Sequence, residues 1–162
     1  MPSKKSLLMG AAAGLAGGYA MQCFRSAWNR HYASMPQHGI FGLDKEADLK
    51  SVESLTKVFV NRVLSEGRSE QVALILHYAY GVAAGAAYST VAETFPAVRL
   101  GYGTLFGTGV WIFGDEIPIA LLKISNPCER SARSHGSALV AHLIFGTITE
   151  FTLSARRALF IN

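Results

Sequence analysis

Charge is what this sequence has least of. Asp, Glu, Lys and Arg make up 16% of its residues, against about one-quarter in soluble domains. The shortage is concentrated in four runs. Ser6–Phe24 has no charge at all, and Gln71–Ala92 has none but includes His77. Leu100–Leu122 holds only Asp115 and Glu116, and Gly136–Ala155 only Glu150, beside His142. Two cysteines, Cys23 and Cys128, are too few for a disulfide scaffold. There is no HExxH, no phosphate-binding loop and no Gly-x-Ser-x-Gly, so those routes to hydrolysis or nucleotide chemistry have no sequence support. Leu100-Gly-Tyr-Gly-Thr104 lacks the preceding Thr-Val and the pore helix of a potassium filter. The net charge of +4 sits beside the apolar runs, which fits membrane flanks and not nucleic acid.

What is there is apolar length. Each run is about 19–23 residues, enough to cross a hydrocarbon core of ~30 Å at 1.5 Å per residue. The pattern predicts an all-α fold: a four-helix transmembrane bundle forming one domain over 1–162. Its spans lie at about 6–24, 71–92, 100–122 and 136–155. A soluble helical bundle would need polar faces that these segments lack. Lys4-Lys5 ahead of Leu7-Leu8-Met9 also has the form of a signal peptide. Gln22 before Cys23 argues against a lipoprotein site, and a retained first helix is expected. That helix should run on through Arg25 to Arg30, with the arginines, Trp28 and Tyr32 at the interface.

Between the first two spans the period changes. Leu49, Val52, Leu55, Phe59 and Val63 recur at helical spacing, with Lys50, Glu53, Lys57 and Arg62 between them. An amphipathic helix over 44–66 is expected, with Asp44 as N-cap and Gly67 as its stop. It would lie on the membrane surface or bind a partner. Small residues mark the packing faces: Gly10, Gly14 and Gly18 in helix 1, Gly81 and Gly85 in helix 2, Gly103 and Gly107 in helix 3. Those stripes serve either one bundle or a homo-oligomer. The other expected partner is the lipid bilayer.

The adjacent carboxylates Asp115 and Glu116 are costly in hydrocarbon. Helix direction supplies partners for them. Helices 2 and 4 enter from the side of the long loops, and His77 and His142 lie about six residues in. Helix 3 leaves towards that side, with Asp115 and Glu116 about six residues before its end. All four therefore fall ~9–10 Å below one interface. Tyr19 and Gln22 approach the same level, and His135, Tyr88 and Glu150 share the polar stripes. Pro118 frees the Gly114 carbonyl, so a kink is expected there. Four readings compete: a stabilising polar layer that takes up protons, an ion- or proton-coupling site of a small transporter or channel, a metal site, and an intramembrane enzyme. The metal site would use His77, His142 and Glu116 on a divalent ion. The first reading, without catalysis or cofactor, is preferred.

Over about 75–157 the chain resembles a family of small bacterial inner-membrane proteins typified by YagU, whose activity is not assigned. His77 with Tyr80-Gly81, Tyr88, Val91-Ala-Glu-Thr-Phe-Pro96 and the run ending in Arg156-Arg157 carry the resemblance. It implies a multi-pass protein of the bacterial inner membrane and no particular reaction. Orientation is left open. Eight Lys and Arg flank the loop side (Arg25, Arg30, Lys57, Arg62, Arg68, Lys123, Arg130, Arg133) and five flank the other (Lys4, Lys5, Arg99, Arg156, Arg157). That count places the loop side in the cytoplasm. The signal-like Lys4-Lys5 argues the reverse, as would a Cys23–Cys128 disulfide.

Overall fold

In a computed structural model of the chain, residues 3–32, 66–116 and 132–159 are described. They form four helices in an up-down-up-down arrangement: α1 (Lys4–His31), α2 (Glu66–Thr94), α3 (Thr104–Val110, continuing as a π-helical turn over Trp111–Glu116) and α4 (Ala132–Leu159). Three of them hold segments long and apolar enough to cross a membrane: Lys4–His31, Gln71–Thr94 and His135–Arg157. The apolar part of α3, Thr104–Gly114, is shorter. Apart from Glu66, the expected amphipathic segment 44–66 lies outside the described residues, as do Pro118 and Cys128.

Helix α1 starts where Ser3 caps it, its hydroxyl oxygen accepting from the Ser6 N–H at 3.1 Å. It then runs unbroken through the expected interface to His31. Its buried face is Gly10, Ala13, Gly14, Gly17, Gly18, Met21 and Arg25. Six of those seven positions hold small or flexible apolar side chains, and they let two neighbours approach at once. A methyl group on Gly14 would collide with the Gly81 carbonyl of α2, and one on Gly85 with the backbone of Gly10 and Gly14. On the other side, a methyl on Gly17 would collide with Thr149 and Phe145 of α4. Thr149, fully buried, donates to the Phe145 carbonyl at 2.7 Å and lies 3.5 Å from the Ala13 carbonyl. Helix α3 uses the same device against α4: Gly103 and Gly107 face Gly146 and the His142 backbone. The small-residue stripes of helices 1 to 3 are thus taken up inside the bundle, where dispersion between close backbones replaces the hydrophobic force that lipid does not supply.

The outward faces carry Leu8, Leu15, Ile75, Val140 and Phe151, all exposed. Hydroxyls on these helices bond to their own backbone: Thr90 to Ala86, Thr108 to Thr104 and Thr152 to Ile148, at 2.8–3.0 Å. A large apolar exterior with internally satisfied hydroxyls suits a lipid environment and would be an aggregation hazard in water.

Two expected boundaries move. Helix 3 was placed from Leu100, yet the helix begins at Thr104. Gly101, Tyr102 and Gly103 have φ of 70°, 52° and 86°. Three successive left-handed residues cannot belong to a right-handed helix, and Tyr102 bears a cost of about 1–3 kcal/mol for it. The turn is held by the Tyr102 N–H to the Arg99 carbonyl at 3.1 Å and the Thr104 hydroxyl to the Gly101 carbonyl at 2.8 Å. The second span is expected from about residue 71, with Gly67 as the stop of the helix before it, whereas α2 begins at Glu66 and takes Gly67 into its first turn.

Gly14→Val is expected to lower stability in detergent by about 1–3 kcal/mol through overpacking. Gly136, whose Cβ position meets nothing within 4 Å, should accept Ala with no loss, or with a gain of up to about 1 kcal/mol. Denaturant titration followed by circular dichroism measures both.

Candidate functional site

Two polar clusters lie inside the bundle, one near each end. The first surrounds a cavity of about 230 Å³ where all four helices meet. Arg25 of α1, His77 and Tyr80 of α2, Gly114 of the π-helical turn and His142 of α4 line it. Arg25, His77 and His142 are 5%, 8% and 4% exposed, so three basic side chains share a buried space. The His77 Nε2 atom lies 3.4 Å from the Gly18 carbonyl, a long contact. The His142 Nδ1–H donates to the Ala138 carbonyl one turn back at 2.8 Å. A carbonyl only accepts, so the proton sits on Nδ1 and Nε2 is the ring's other polar atom.

Arg25 corrects the expectation that it would sit at the interface with Arg30. It continues the buried stripe of α1 at the same three- and four-residue steps as Gly14, Gly18 and Met21. That spacing was the signal in the sequence that would have found it. Of the other residues expected at this level, Tyr19 is exposed and turned away. Gln22 is half-buried, and its Oε1 is a buried acceptor with no partner among the described residues. The Trp111 Nε1, on the π-helical turn, is likewise a buried donor without a partner among them. His135 is half-buried at the start of α4. The backbone of Asp115 and Glu116 follows Gly114 in the π-helical turn; their side chains lie outside the described residues. Among the described residues, no group of three or more His, Cys, Asp or Glu side chains could hold a metal ion.

Helix α3 is irregular close to where a kink was expected. The wider turn occupies Trp111–Glu116, just before Pro118 in the sequence. Gly114 lies against the Tyr80 ring there, with no room for a side chain. Single π-turns of this kind recur at functional sites.

The second cluster centres on Glu150, 4% exposed, towards the end of α4. The Tyr88 hydroxyl donates to its Oε2 at 2.9 Å, and the Ser154 hydroxyl to its Oε1 at 2.7 Å. Arg157 forms an ion pair with the same Oε1 and also donates to Ser154 Oγ at 2.8 Å. Tyr88 and Glu150 therefore meet each other at the end opposite His77 and do not support the first cluster. Tyr88 is eleven residues beyond His77 on α2, a rise of ~16 Å. This carboxylate is fully engaged, as burial in a membrane demands.

Tyr88→Phe should cost about 1.5–3 kcal/mol, the scale of a hydrogen bond to a charged group. A double-mutant cycle with Glu150→Gln should return a coupling of at least ~0.5 kcal/mol. Additive losses in denaturant titrations would remove the contact from the stability account.

No curated protein and no solved structure shows significant similarity to the chain. A family model does match, over residues 30–151, which takes in α2, α3 and most of α4. The chain belongs to that family, described as proteins of unknown function (DUF1440).

Proposed function

We propose that this is a non-enzymatic, multi-pass protein of a bacterial inner membrane whose four-helix cavity is a charge-balanced polar layer. In this reading the layer holds the helices in register and exchanges protons with the medium. The observation that carries it is the burial of Arg25 together with His77 and His142 around one space. A buried guanidinium in a membrane bundle needs negative charge close by. Asp115 and Glu116 are the acidic residues next in the chain to Gly114, a lining residue, and the proposal gives them that role. The histidines add ionisable groups to the same space. The bacterial inner-membrane location comes from the resemblance to the YagU-like proteins and from the three membrane-length apolar helices.

Glu116→Gln, Arg25→Gln and His142→Ala should each lower the melting temperature in detergent more than Glu93→Gln, a change at an exposed position. Breaking a buried pair costs about 3–5 kcal/mol, so the differences should be several degrees. Equal melting curves for all four would sink the layer. Proton exchange calls for a melting temperature that varies with pH and a dependence that flattens in the His77→Gln/His142→Gln double variant.

A transporter reading draws support from the π-helical turn and from an open cavity where a packed core could stand. It expects pH-dependent solute or ion flux in proteoliposomes that is lost in Asp115→Asn. A broad solute panel without flux would leave only the structural layer.

A further inference from the structure

A second and larger space, about 640 Å³, lies outside the polar cavity, between α2, α3 and the turn that joins them. Its floor is the Tyr88–Phe106 stack, with ring centroids 4.2 Å apart and planes 20° from parallel. Val91 of α2 and Leu105 and Phe113 of α3 form its sides, and all three are exposed. Gly109 faces it, and a side chain there would meet nothing within 4 Å. The groove exists because the α3 backbone packs closely on α4 and meets α2 through the Tyr80 and Tyr88 side chains.

Its dimensions and charge point to an occupant. Its lining residues on α2 run from Tyr80 to Val91, eleven residues apart. That is ~16 Å, about half the ~30 Å hydrocarbon core of a bilayer. The groove is one leaflet deep. At its outer end Arg99 closes the turn Pro96–Arg99, between the lining residues Val98 and Leu100. Arg99 Nη2 donates to the Ala92 carbonyl at 2.8 Å, which fixes the guanidinium. Among the described residues its Nε has no hydrogen-bond partner and Arg99 makes no ion pair. Glu150, the buried carboxylate on that side, is already bound by Arg157, Tyr88 and Ser154. Lys4 and Lys5 add exposed positive charge at the same end.

We propose that the groove binds one anionic phospholipid of the bilayer, with its phosphate at Arg99 and an acyl chain laid over the Tyr88–Phe106 stack. An arginine fork matches phosphate geometry, and an apolar trough matches the chain. This site is separate from the polar cavity, and its test does not depend on the function proposed for that cavity.

Native mass spectrometry of the full-length protein, released from micelles doped with either phosphatidylglycerol or phosphatidylcholine, tests it. Wild type should retain one phosphatidylglycerol and at least about tenfold less phosphatidylcholine, whose choline cation opposes the positive charge of Arg99, Lys4 and Lys5. Arg99→Gln should erase that preference. Gly109→Leu, which fills open space and favours helix, should lose the lipid altogether while keeping the helical circular dichroism of wild type. Equal retention of the two lipids by wild type overturns the proposal. So does unchanged retention in both variants. Loss in Gly109→Leu alone would mean an uncharged apolar occupant, and a lipid-free dimer would mean a second copy of the chain; either result also overturns it.

Discussion

Backbone contact between α1 and its two neighbours is the constraint on which the rest of the molecule depends. Lipid offers helices no hydrophobic reason to associate, so close approach has to supply the attraction. Gly10 and Gly14 meet Gly85 and Gly81, while Gly17 meets Phe145 and Thr149. Only a helix nearly bare on that face can touch both partners. Once α1 is seated between α2 and α4, the next turn of the same stripe carries Arg25 inward. The polar cavity follows from the packing: glycines draw the helices together, and beyond them the same stripe brings Met21 and then Arg25 to the cavity wall.

Polar groups inside the bundle are handled differently at its two ends. Glu150 is saturated, with a phenol, a hydroxyl and a guanidinium on its two oxygens. At the other end three basic side chains, Arg25, His77 and His142, share a cavity. A saturated cluster fixes a conformation, whereas a cavity leaves room for a guest or for rearrangement.

Much of the fold was legible in the sequence because charge-free runs of membrane length leave few alternatives. Three of the runs lie in membrane-length helices, the described part of the third is helical from Thr104 to Glu116, and the glycine stripes marked the faces that touch. The failures have particular causes. Arg25 was assigned to the flank because charge outweighed its place in the stripe. The start of helix 3 was misplaced because an apolar run does not reveal backbone handedness; the pair of glycines around Tyr102 was the available clue. Tyr88 was grouped with His77 because both lie on one stripe of α2, although a rise of ~16 Å separates them. His77 and His142 both line the cavity, while the side chains of Asp115 and Glu116, expected at the same level, lie outside the described residues.

Tyr80 and Val110 line the polar cavity and the apolar groove at once. The two compartments share a partition one side chain thick. A molecule that presses on that partition from the lipid side changes the room available to Arg25 and the histidines, and an occupant of the polar side presses back. Linkage makes the two effects equal in free energy, so the bilayer and the protein interior would read each other's occupancy through a single tyrosine ring.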